Sequence, residues 1–280
     1  MGVTVRQLLA EATSVLPQRE GLPNPAREAR WLLGRCLGQT EAWLLAHAGE
    51  MVGEGETKRF RSMVVRRATG EPAHYIVGSC PFFGRDFLVA PGVLIPRPES
   101  ELIVEHAPGL LLPPGPRVLD VGTGSGCLAV TLALRLQGAW VVGTDLSPTA
   151  LGLATRNARR LGARVGFCLA DLATPVRGGF DLVAANLPYI PNGELATLAP
   201  EIRDHEPRLA LAGGADGADL VRRLVADLPR LLVPGGRSML ELGPGQADLL
   251  HPDVRRAGLA EVNRIRDVAG VERVLVLKRP

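Results

Sequence analysis

The sequence predicts an α/β protein whose main part is a mainly parallel β-sheet with helices on both faces, preceded by a small N-terminal helical bundle and a β-hairpin connector. Three observations support this prediction. Apolar residues recur at helical spacing up to residue 69, aromatic and β-branched residues follow as far as residue 93, and beyond residue 117 buried strands alternate with helices. We therefore predict three parts, residues 1–72, 73–93 and 94–280, in a chain whose 46% hydrophobic content can bury a core.

The first part, residues 1–72, is predicted to be a bundle of short helices. Ala29, Leu32 and Cys36 have the spacing of one helix face, and Asn24 followed by Pro25 is a favourable cap and first-turn pair. The run 58–67 is basic, which fits either a solvated helix face or a docking surface for another macromolecule. Residues that favour turns separate the helices, namely Pro17, Pro23, Gly38 and the stretch from Gly53 to Gly55.

The second part, residues 73–93, is predicted to be a β-hairpin that links the bundle to the sheet. Its strand signals are Tyr75–Val77, Phe82–Phe83 and Asp86–Val89, and Gly84 marks a turn between them.

The third part, residues 94–280, begins with a proline-stiffened stretch and a helix predicted from near Glu99 to Pro108. Strands and helices then alternate, which is typical of a parallel sheet covered on both faces. Ligands of such sheets bind at the carboxyl ends of the strands, where the strand order reverses. The predicted strands are Val118–Asp120, Trp140–Thr144, Arg164–Cys168, Phe180–Ala185, Arg237–Glu241 and Val271–Leu277.

Composition and local patterns argue against several classes of protein. The formal net charge of +3 is too small to indicate nucleic-acid binding by itself. The sequence contains no run of about 18 apolar residues that would indicate a membrane span, and the start of the chain lacks the features of a secretion signal. The cysteines have no CxxC spacing and the histidines no metal-ligand spacing. We therefore expect a cytoplasmic protein without a metal or a membrane segment.

A glycine-rich turn follows the first predicted strand of the sheet and precedes a helix predicted from Cys127 to Leu136. Its glycines, Gly122, Gly124 and Gly126, let the backbone approach a ligand closely, and its amide groups at a helix start favour an anion such as a carboxylate. The full segment reads Asp120-Val121-Gly122-Thr123-Gly124-Ser125-Gly126.

Two more carboxylates follow at the ends of the next strands. Asp145 lies about 20 residues downstream, where an acidic side chain accepts hydrogen bonds from ribose hydroxyls. Asp171 ends the third strand, where its carboxylate would meet an adenine amino group while Leu172 packs on the base. Each aspartate alone is equally consistent with a helix cap, but their repetition at successive strands favours a nucleotide-type cofactor.

Asn186-Leu187-Pro188-Tyr189 stands at the end of the fourth predicted strand. The nitrogen of an amide or nucleobase is a poor nucleophile because its lone pair is delocalised, so its two N–H groups need two acceptors. The side-chain oxygen of Asn186 and the main-chain carbonyl of Leu187 would supply them, and positioning would provide much of the catalysis. Pro188 would fix the turn and the ring of Tyr189 would pack on the planar group. The alternative is a simple Asn-x-Pro turn.

The spacing Gly122-x-Gly124-x-Gly126 is similar to the first motif of class I methyltransferases, whereas in the dinucleotide fingerprint the third glycine falls one residue later. The resemblance implies a Rossmann-like sheet of seven strands and S-adenosylmethionine as the cofactor, with S-adenosylhomocysteine as the product. The cofactor-binding residues that it implies are Asp120, Gly122, Thr123, Gly124, Ser125 and Gly126 for the methionine part, Asp145 for the ribose, Asp171 and Leu172 for the adenine, and Asn186.

The tetrapeptide that begins at Asn186 resembles the [Asn/Asp]-Pro-Pro-Tyr motif of methyltransferases acting on adenine, cytosine or glutamine nitrogens, with Leu187 in place of the first proline. Asn-Leu-Pro-Tyr also occurs in ribosomal RNA adenine dimethyltransferases, so the tetrapeptide does not choose the substrate. The predicted catalytic and substrate-binding residues are Asn186, Leu187, Pro188 and Tyr189.

Other segments resemble the release factor glutamine methyltransferases. These are residues 70–78, residues 91–101, which read Pro-Gly-Val-Leu-Ile-Pro-Arg-Pro-Glu-Ser-Glu, and residues 206–217; the family usually has threonine where Ser100 stands. The resemblance implies methylation of N5 of the glutamine in a Gly-Gly-Gln loop of class I peptide chain release factors, with the first part of the chain helping to grip that partner. Arg97 and Glu99 would shape the entrance for the loop or form a salt-bridged structural turn. We expect a monomer that requires no nucleic acid.

Three alternatives stay open at this point. An adenine or cytosine methyltransferase acting on ribosomal RNA or DNA would share the tetrapeptide. A glutamine methyltransferase acting on a ribosomal protein shares the layout, but its sequence differs after the Ile-Pro-Arg. A non-catalytic module would bind the cofactor without turnover, which the intact Asn186, Pro188 and Tyr189 disfavour.

Overall fold

The computed structural model describes residues 2–18 and 24–280, so the predicted separator Pro23 lies outside the described residues. The chain folds into two compact units. One consists of the chain up to Gly78 together with Pro200–His205, and the other of Ser79–Ala199 together with Glu206–Pro280.

The first unit is mainly helical, as the sequence predicts. Three of its helices begin after residues that cap them: the side chains of Thr4, Asn24 and Thr40 each accept a hydrogen bond from a backbone N–H of the first turn. Two short antiparallel strands, which no pattern in the sequence predicts, also pair here. The elements are β1 (Val3–Thr4), α1 (Val5–Val15), α2 (Pro25–Leu37), α3 (Glu41–Ala46), β2 (Met51–Val52), α4 (Glu54–Ala68) and α5 (Ala73–Val77).

A small apolar core and a buried ion-pair cluster hold the first unit together. Leu8 and Phe60 are among its buried apolar residues. The buried guanidinium of Arg67 pairs with the carboxylates of Glu28 and Glu201, the latter at 2.8 Å. Because a buried charge without a partner is costly, this cluster stabilises the packing of α2, α4 and the segment Pro200–His205. The last residue of the predicted basic run is therefore a core residue.

The prediction of a strand at Tyr75–Val77 is wrong, because these residues form α5. The carbonyl of Pro72 accepts hydrogen bonds from the N–H groups of Tyr75 and Ile76, and Gly78 ends the helix with a φ of 79°. Strand preference depends on context, and here Ile76 is buried in the core of the first unit.

The β-hairpin itself is confirmed and belongs to the second unit. Its strands are β3 (Ser79–Phe82) and β4 (Arg85–Leu88). Phe83 and Gly84 join them with φ values of 46° and 72°, as a two-residue type I′ turn requires.

Seven strands of the second unit form one sheet: β5 (Arg117–Val121), β6 (Trp140–Asp145), β7 (Val165–Leu169), β8 (Phe180–Asn186), β9 (Leu232–Glu241), β10 (Ala260–Arg266) and β11 (Glu272–Lys278). The strand order is β10-β11-β9-β8-β5-β6-β7. The five strands from β9 to β7 pair in parallel, whereas β11 and β10 add antiparallel at one edge. The mainly parallel sheet is therefore confirmed.

Helices cover both faces of this sheet. Successive residues of β5 pack in apolar cores on opposite faces of the sheet. Leu119 lies in one core with residues of α10 and α11, and Val118 lies in the other with residues of α6 and α7. The helices of this unit are α6 (Glu101–His106), α7 (Cys127–Arg135), α8 (Pro148–Leu161), α10 (Asp219–Leu231) and α11 (Gln246–Arg256). Helix α9 (Pro200–His205) belongs to the first unit. Short 3₁₀ turns lie at Pro98–Ser100, Ala107–Gly109, Leu195–Thr197 and Arg208–Ala210.

Two features of the sheet differ from the prediction. Strand β10 was missed because only Ile265 of its residues is buried, so the strand has no apolar alternation to detect. Strand β9 begins at Leu232, five residues before the predicted start at Arg237, and passes through a Pro-Gly-Gly sequence where its pairing with β8 shifts register.

Candidate functional site

The candidate site is a cavity at the point of the sheet where the strand order reverses. From β5 the chain continues to β6 on one side, and β8 pairs with β5 on the other. A cavity of about 300 Å³ opens at the carboxyl ends of these strands, where ligands of such sheets bind. Of the residues predicted from the sequence, it is lined by Arg97, Gly122, Thr123, Gly124, Ser125, Asp145, Asp171, Leu172, Asn186, Leu187 and Pro188, while Glu99, Asp120, Gly126 and Tyr189 are outside its lining.

The glycine-rich turn is anchored to the end of β6. The N–H groups of Gly122 and Thr123 donate to the carbonyl of Thr144 at 2.9 and 2.8 Å, and the N–H of Gly124 donates to Oδ2 of Asp145 at 2.8 Å. The backbone of the turn is therefore fixed at three successive residues.

Each glycine of the turn is required for a different reason, although all three have positive φ, between 55° and 81°. A Cβ on Gly122 would lie 2.9 Å from Cδ2 of Leu187, and a Cβ on Gly126 would lie 2.9 Å from Cβ of Ala154. A Cβ on Gly124 would meet no described atom within 4 Å. Gly124 is therefore the position where the bare backbone faces open space in the cavity.

Gly126→Ala is expected to lower the free energy of unfolding by about 2–5 kcal/mol. A left-handed alanine costs roughly 1–2 kcal/mol and overpacking against Ala154 about 1–3 kcal/mol more. Urea titration followed by circular dichroism measures the change. The matched control is Gly152→Ala within α8, where a Cβ has open space and helix propensity predicts a gain of about 0.5–1 kcal/mol. Equal effects of the two substitutions would contradict the close packing at Gly126.

Asp120 supports the turn from within the core. Its Oδ2 accepts hydrogen bonds from the hydroxyl of Thr123 at 2.7 Å and from the N–H of Ala129 at 3.1 Å. Complete burial raises the pKa of Asp120 to about 7, although both hydrogen bonds oppose that shift. No described residue is a partner of its Oδ1. Asp120 therefore holds the turn and does not line the cavity.

Asp145 joins the turn to the start of α8. While Oδ2 accepts from Gly124, Oδ1 accepts from the N–H of Ser147 at 2.8 Å. A carboxylate oxygen has more than one acceptor site, so both oxygens keep capacity for a ligand on the cavity side. The cap-like role and the ligand role that the sequence left as alternatives are compatible in this geometry.

Asp171 and Leu172 lie on the cavity wall beyond the end of β7. Asp171 forms a half-exposed ion pair with Arg223 of α10 at 2.7 Å, a partner that the sequence did not indicate. Leu172 has a φ of 52°, unusual for a side chain of this size, and packs against the apolar core on that face of the sheet. The left-handed backbone at Leu172 marks a locally constrained site.

Asn186 and Leu187 provide two acceptors that the protein fold does not use. The Nδ2 of Asn186 donates to the hydroxyl oxygen of Ser100 at 2.9 Å. In the described part of the chain, no hydrogen bond is made to Oδ1 of Asn186 or to the carbonyl oxygen of Leu187. The side chain of Leu187 is buried and packs on Gly122, so it links the tetrapeptide to the glycine turn.

The segment after α9 packs against the residues at the end of the tetrapeptide. The N–H of Gly213 donates to the carbonyl of Ile190 at 2.8 Å, and a Cβ on Gly213 would lie 2.7 Å from the carbonyl oxygen of Pro188. A Cβ on Gly217 would lie only 2.2 Å from the carbonyl oxygen of Tyr189. Tyr189 is partly buried, and burial raises the pKa of its phenol. Gly213 and Gly217 therefore serve close packing against the tetrapeptide.

Arg97 lines the cavity and also forms an ion pair. Its Nη2 lies 2.7 Å from Oε1 of the buried Glu206, which accepts a longer hydrogen bond from the N–H of Ile95. The two predicted alternatives for Arg97, an entrance residue and a salt-bridged turn, are thus compatible. Glu99 lies near Glu241 and helps to raise the pKa of that carboxyl.

Ser100 and Glu241 belong to the site but were missed in the sequence. The hydroxyl of Ser100 donates to Oε2 of Glu241, and Glu241 faces Asn186 in the register of β8 and β9. Burial raises the pKa of Glu241 to about 7. A hydroxyl at position 100, where the resembling family has threonine, was the one available signal.

Asn157 was also missed, and no local pattern could have found it. This fully buried side chain of α8 donates to the carbonyls of Ser125 and Leu88 at 2.8 and 3.0 Å and accepts from the N–H of Leu88. It therefore joins the glycine turn to the hairpin strand β4.

Neither a metal cluster nor a membrane span is found in the described ranges. Among residues 2–18 and 24–280, no group of three or more His, Cys, Asp or Glu side chains is arranged to hold a metal ion. No helix in the same ranges is long and apolar enough to cross a membrane.

Comparison with known proteins gives consistent matches. Residues 7–78 match the family described as PrmC N-terminal domain, and residues 118–205 match a methyltransferase domain family. The release factor glutamine methyltransferase of Geobacter sulfurreducens is 42% identical over 273 residues, which cover 97% of this chain and 95% of that protein. The protein of the same name from Deinococcus radiodurans is 40% identical over 277 residues, 98% of each chain.

Solved structures support the fold. A methyltransferase from Pyrococcus furiosus has a TM-score of 0.54 at 19% identity, covering 81% of this chain and 99% of that one. A ribosomal protein L11 methylase from Lactobacillus delbrueckii has a TM-score of 0.51 at 22% identity, covering 71% and 89%. The sheet order, the glycine turn and the cavity at the strand reversal define a class I methyltransferase. The chain is 40–42% identical to these curated relatives over nearly its full length, and this shows that it belongs to the release factor glutamine methyltransferase family.

Proposed function

We propose that this chain transfers a methyl group from S-adenosylmethionine to the side-chain nitrogen N5 of the glutamine in the Gly-Gly-Gln motif of class I peptide chain release factors. The observation that carries the proposal is a pair of unused acceptors, Oδ1 of Asn186 and the carbonyl of Leu187, in two residues that line the same cavity as the glycine turn. Family membership supports the choice of substrate, because the curated relatives that match nearly the whole chain are named release factor glutamine methyltransferases.

The residues of the cavity fit the proposed cofactor. The bare backbone at Gly124 leaves open space and Asp145 keeps acceptor capacity toward the cavity. Asp120 does not line the cavity, but its hydrogen bond to the hydroxyl of Thr123 supports the glycine turn. Carboxylates favour a cationic ligand, and S-adenosylmethionine when bound supplies an electrophilic methyl group on a positively charged sulfur. We propose as its binding residues Asp120, Gly122, Thr123, Gly124, Ser125, Gly126, Asp145, Asp171, Leu172 and Asn186.

The tetrapeptide is suited to hold a planar amide. Two N–H groups of a substrate amide match the two acceptors, and their alignment would keep the nitrogen in one orientation. Leu187 and Pro188 line the cavity, and apolar surroundings of this kind would strengthen the hydrogen bonds that the acceptors make to a substrate. In this proposal Asn186, Leu187, Pro188 and Tyr189 position the reacting group.

The cavity mouth suits a loop of small residues. Arg97 and Leu209 both line the cavity, and Leu209 is 59% exposed, so an apolar contact and a cation are available to an incoming peptide. We propose that Arg97 and Glu99 shape this entrance. The first unit would provide further binding surface for the release factor, in the cytoplasm and without a requirement for nucleic acid.

Methyl transfer from labelled S-adenosylmethionine tests the proposal. Four substrates are offered in parallel to the purified chain: unmodified release factor, the same factor with its loop glutamine changed to alanine, ribosomal proteins and bulk RNA. We expect label on the unmodified factor alone. Label on RNA alone would replace the proposal by the nucleic-acid alternative, and label on a ribosomal protein instead would favour the sister glutamine activity.

A further inference from the structure

Three polar side chains form a hydrogen-bonded chain beside the cavity. Nδ2 of Asn186 donates to Oγ of Ser100 at 2.9 Å, and the hydroxyl of Ser100 donates to Oε2 of Glu241. Ser100 and Glu241 are only 2% and 1% exposed, and β8 and β9 pair in a register that places Asn186 opposite Glu241. The chain thus runs from a buried carboxylate to the amide that lines the cavity.

The carboxylate sets the direction of these hydrogen bonds. An ionised carboxylate only accepts, so Ser100 gives its single hydroxyl hydrogen to Glu241. The oxygen of Ser100 can then only accept from its other neighbour, so Asn186 must turn its NH₂ group toward Ser100. Because the Asn186 amide is planar, its oxygen then points away from Ser100. An amide is otherwise free to present either atom, and only its hydrogen-bond partners decide which one.

We propose that Glu241, acting through Ser100, is a positioning residue that keeps the side-chain oxygen of Asn186 available to the substrate N–H. This inference rests on the proposed function, because it concerns the acceptor that Asn186 provides there. A neutral amide at position 241 removes the constraint. Its NH₂ group can donate to Ser100, whose hydroxyl then donates to Asn186, and the Asn186 amide turns its NH₂ group toward the substrate donor.

Charged groups on several elements surround Glu241. Burial is the main reason that its pKa is raised to about 7; the carboxylate of Glu99 raises it further, and the guanidinium groups of Arg273 and Arg97 lower it. Arg273 is itself paired with Asp267 at 2.8 Å, and Glu241 in turn helps to raise the pKa of Tyr189. Above pH 7 the ionised carboxylate enforces one direction, whereas below it the protonated carboxyl can donate to Ser100 and permits the reverse. We therefore expect kcat to rise with pH through about 7.

Steady-state kinetics on the full chain test this relay with Glu241→Gln, Ser100→Ala and the conservative Ser100→Thr. We expect the first two to lower kcat by about 10- to 100-fold, while the Kd for S-adenosylmethionine, from calorimetry, stays within about threefold. Ser100→Thr keeps the hydroxyl and should retain kcat within about threefold. Because the residues act in series, the double variant Ser100→Ala/Glu241→Gln should be no slower than the slower single variant.

The pH profile separates positioning from a merely structural effect. In the wild type kcat rises through about pH 7, and in Glu241→Gln this rise should disappear. A Glu241→Gln enzyme with wild-type kcat and an unchanged profile would overturn the relay. If that variant does not fold, equal kcat values for Ser100→Ala and Ser100→Thr would overturn it instead. If the wild type methylates RNA and not the release factor, the proposed function fails, yet the same comparison on RNA still tests the relay, because an adenine amino group needs the same acceptor.

Discussion

Asn186→Ala is expected to lower kcat for release factor methylation by about 10²–10³-fold, the usual effect of removing one preorganised hydrogen-bonding group from a reacting centre. The substitution removes the side-chain oxygen that no described residue uses, while the carbonyl of Leu187 remains. Asn186 also lines the cavity, so the Kd for S-adenosylmethionine should rise less than about tenfold. Single-turnover kinetics at saturating cofactor measure the change in the transfer step itself.

Asn192→Ala is the matched control for this prediction. Asn192 is exposed in the same connection after β8, where its backbone N–H, which alanine keeps, donates to the carbonyl of Gly214. We expect its kcat to stay within about twofold of the wild type. If Asn186→Ala retained kcat within tenfold, the Asn186 oxygen would not be the acceptor that positions the substrate nitrogen.

Gly124→Val is expected to weaken S-adenosylmethionine binding by at least about 100-fold. A side chain at this position extends into space that no described atom occupies, on the wall of the cavity, so a bound ligand would be displaced. The φ of 55° adds strain for a β-branched residue and moves the N–H that donates to Asp145. Isothermal titration calorimetry with the cofactor and its demethylated product measures the loss.

Gly162→Val separates strain from ligand exclusion. Gly162 ends α8 with a φ of 71° and also has no described atom within 4 Å of an added Cβ, but it does not line the cavity. Both valine variants should lose stability by a similar amount, on the order of 1–2 kcal/mol. Only Gly124→Val should lose cofactor affinity. Similar Kd values for the two variants would show that the cofactor does not bind against Gly124.

The sequence allowed the sheet and the motif positions to be predicted because both depend on local patterns. Buried apolar runs between helices indicated β5, β6, β7 and β8, and Asp145 and Asn186 lie at the last residues of their strands as expected. A strand with one buried residue, such as β10, has no such pattern. The helix at Tyr75–Val77 shows the same limit, since burial of Ile76 in the first unit overrides a strand-like composition.

The parts of the site that were missed depend on contacts between residues distant in the sequence. Ser100 meets Asn186 and Glu241 only when β8 and β9 are in register, and Arg223 meets Asp171 only when α10 has packed on the sheet. Neither contact produces a local sequence pattern from which it could be predicted. The aspartates and glycines of the cofactor motifs, by contrast, each act within a few residues of a strand end.

Mass spectrometry of the release factor loop peptide tests the central claim most directly. The unmodified factor is incubated with the chain and S-adenosylmethionine, digested, and the peptide that contains the Gly-Gly-Gln sequence is fragmented. We predict a mass increase of one methylene group located on the glutamine side chain, absent when the Asn186→Ala chain is used. An unmodified peptide under conditions in which the chain turns over cofactor on another substrate would contradict the account.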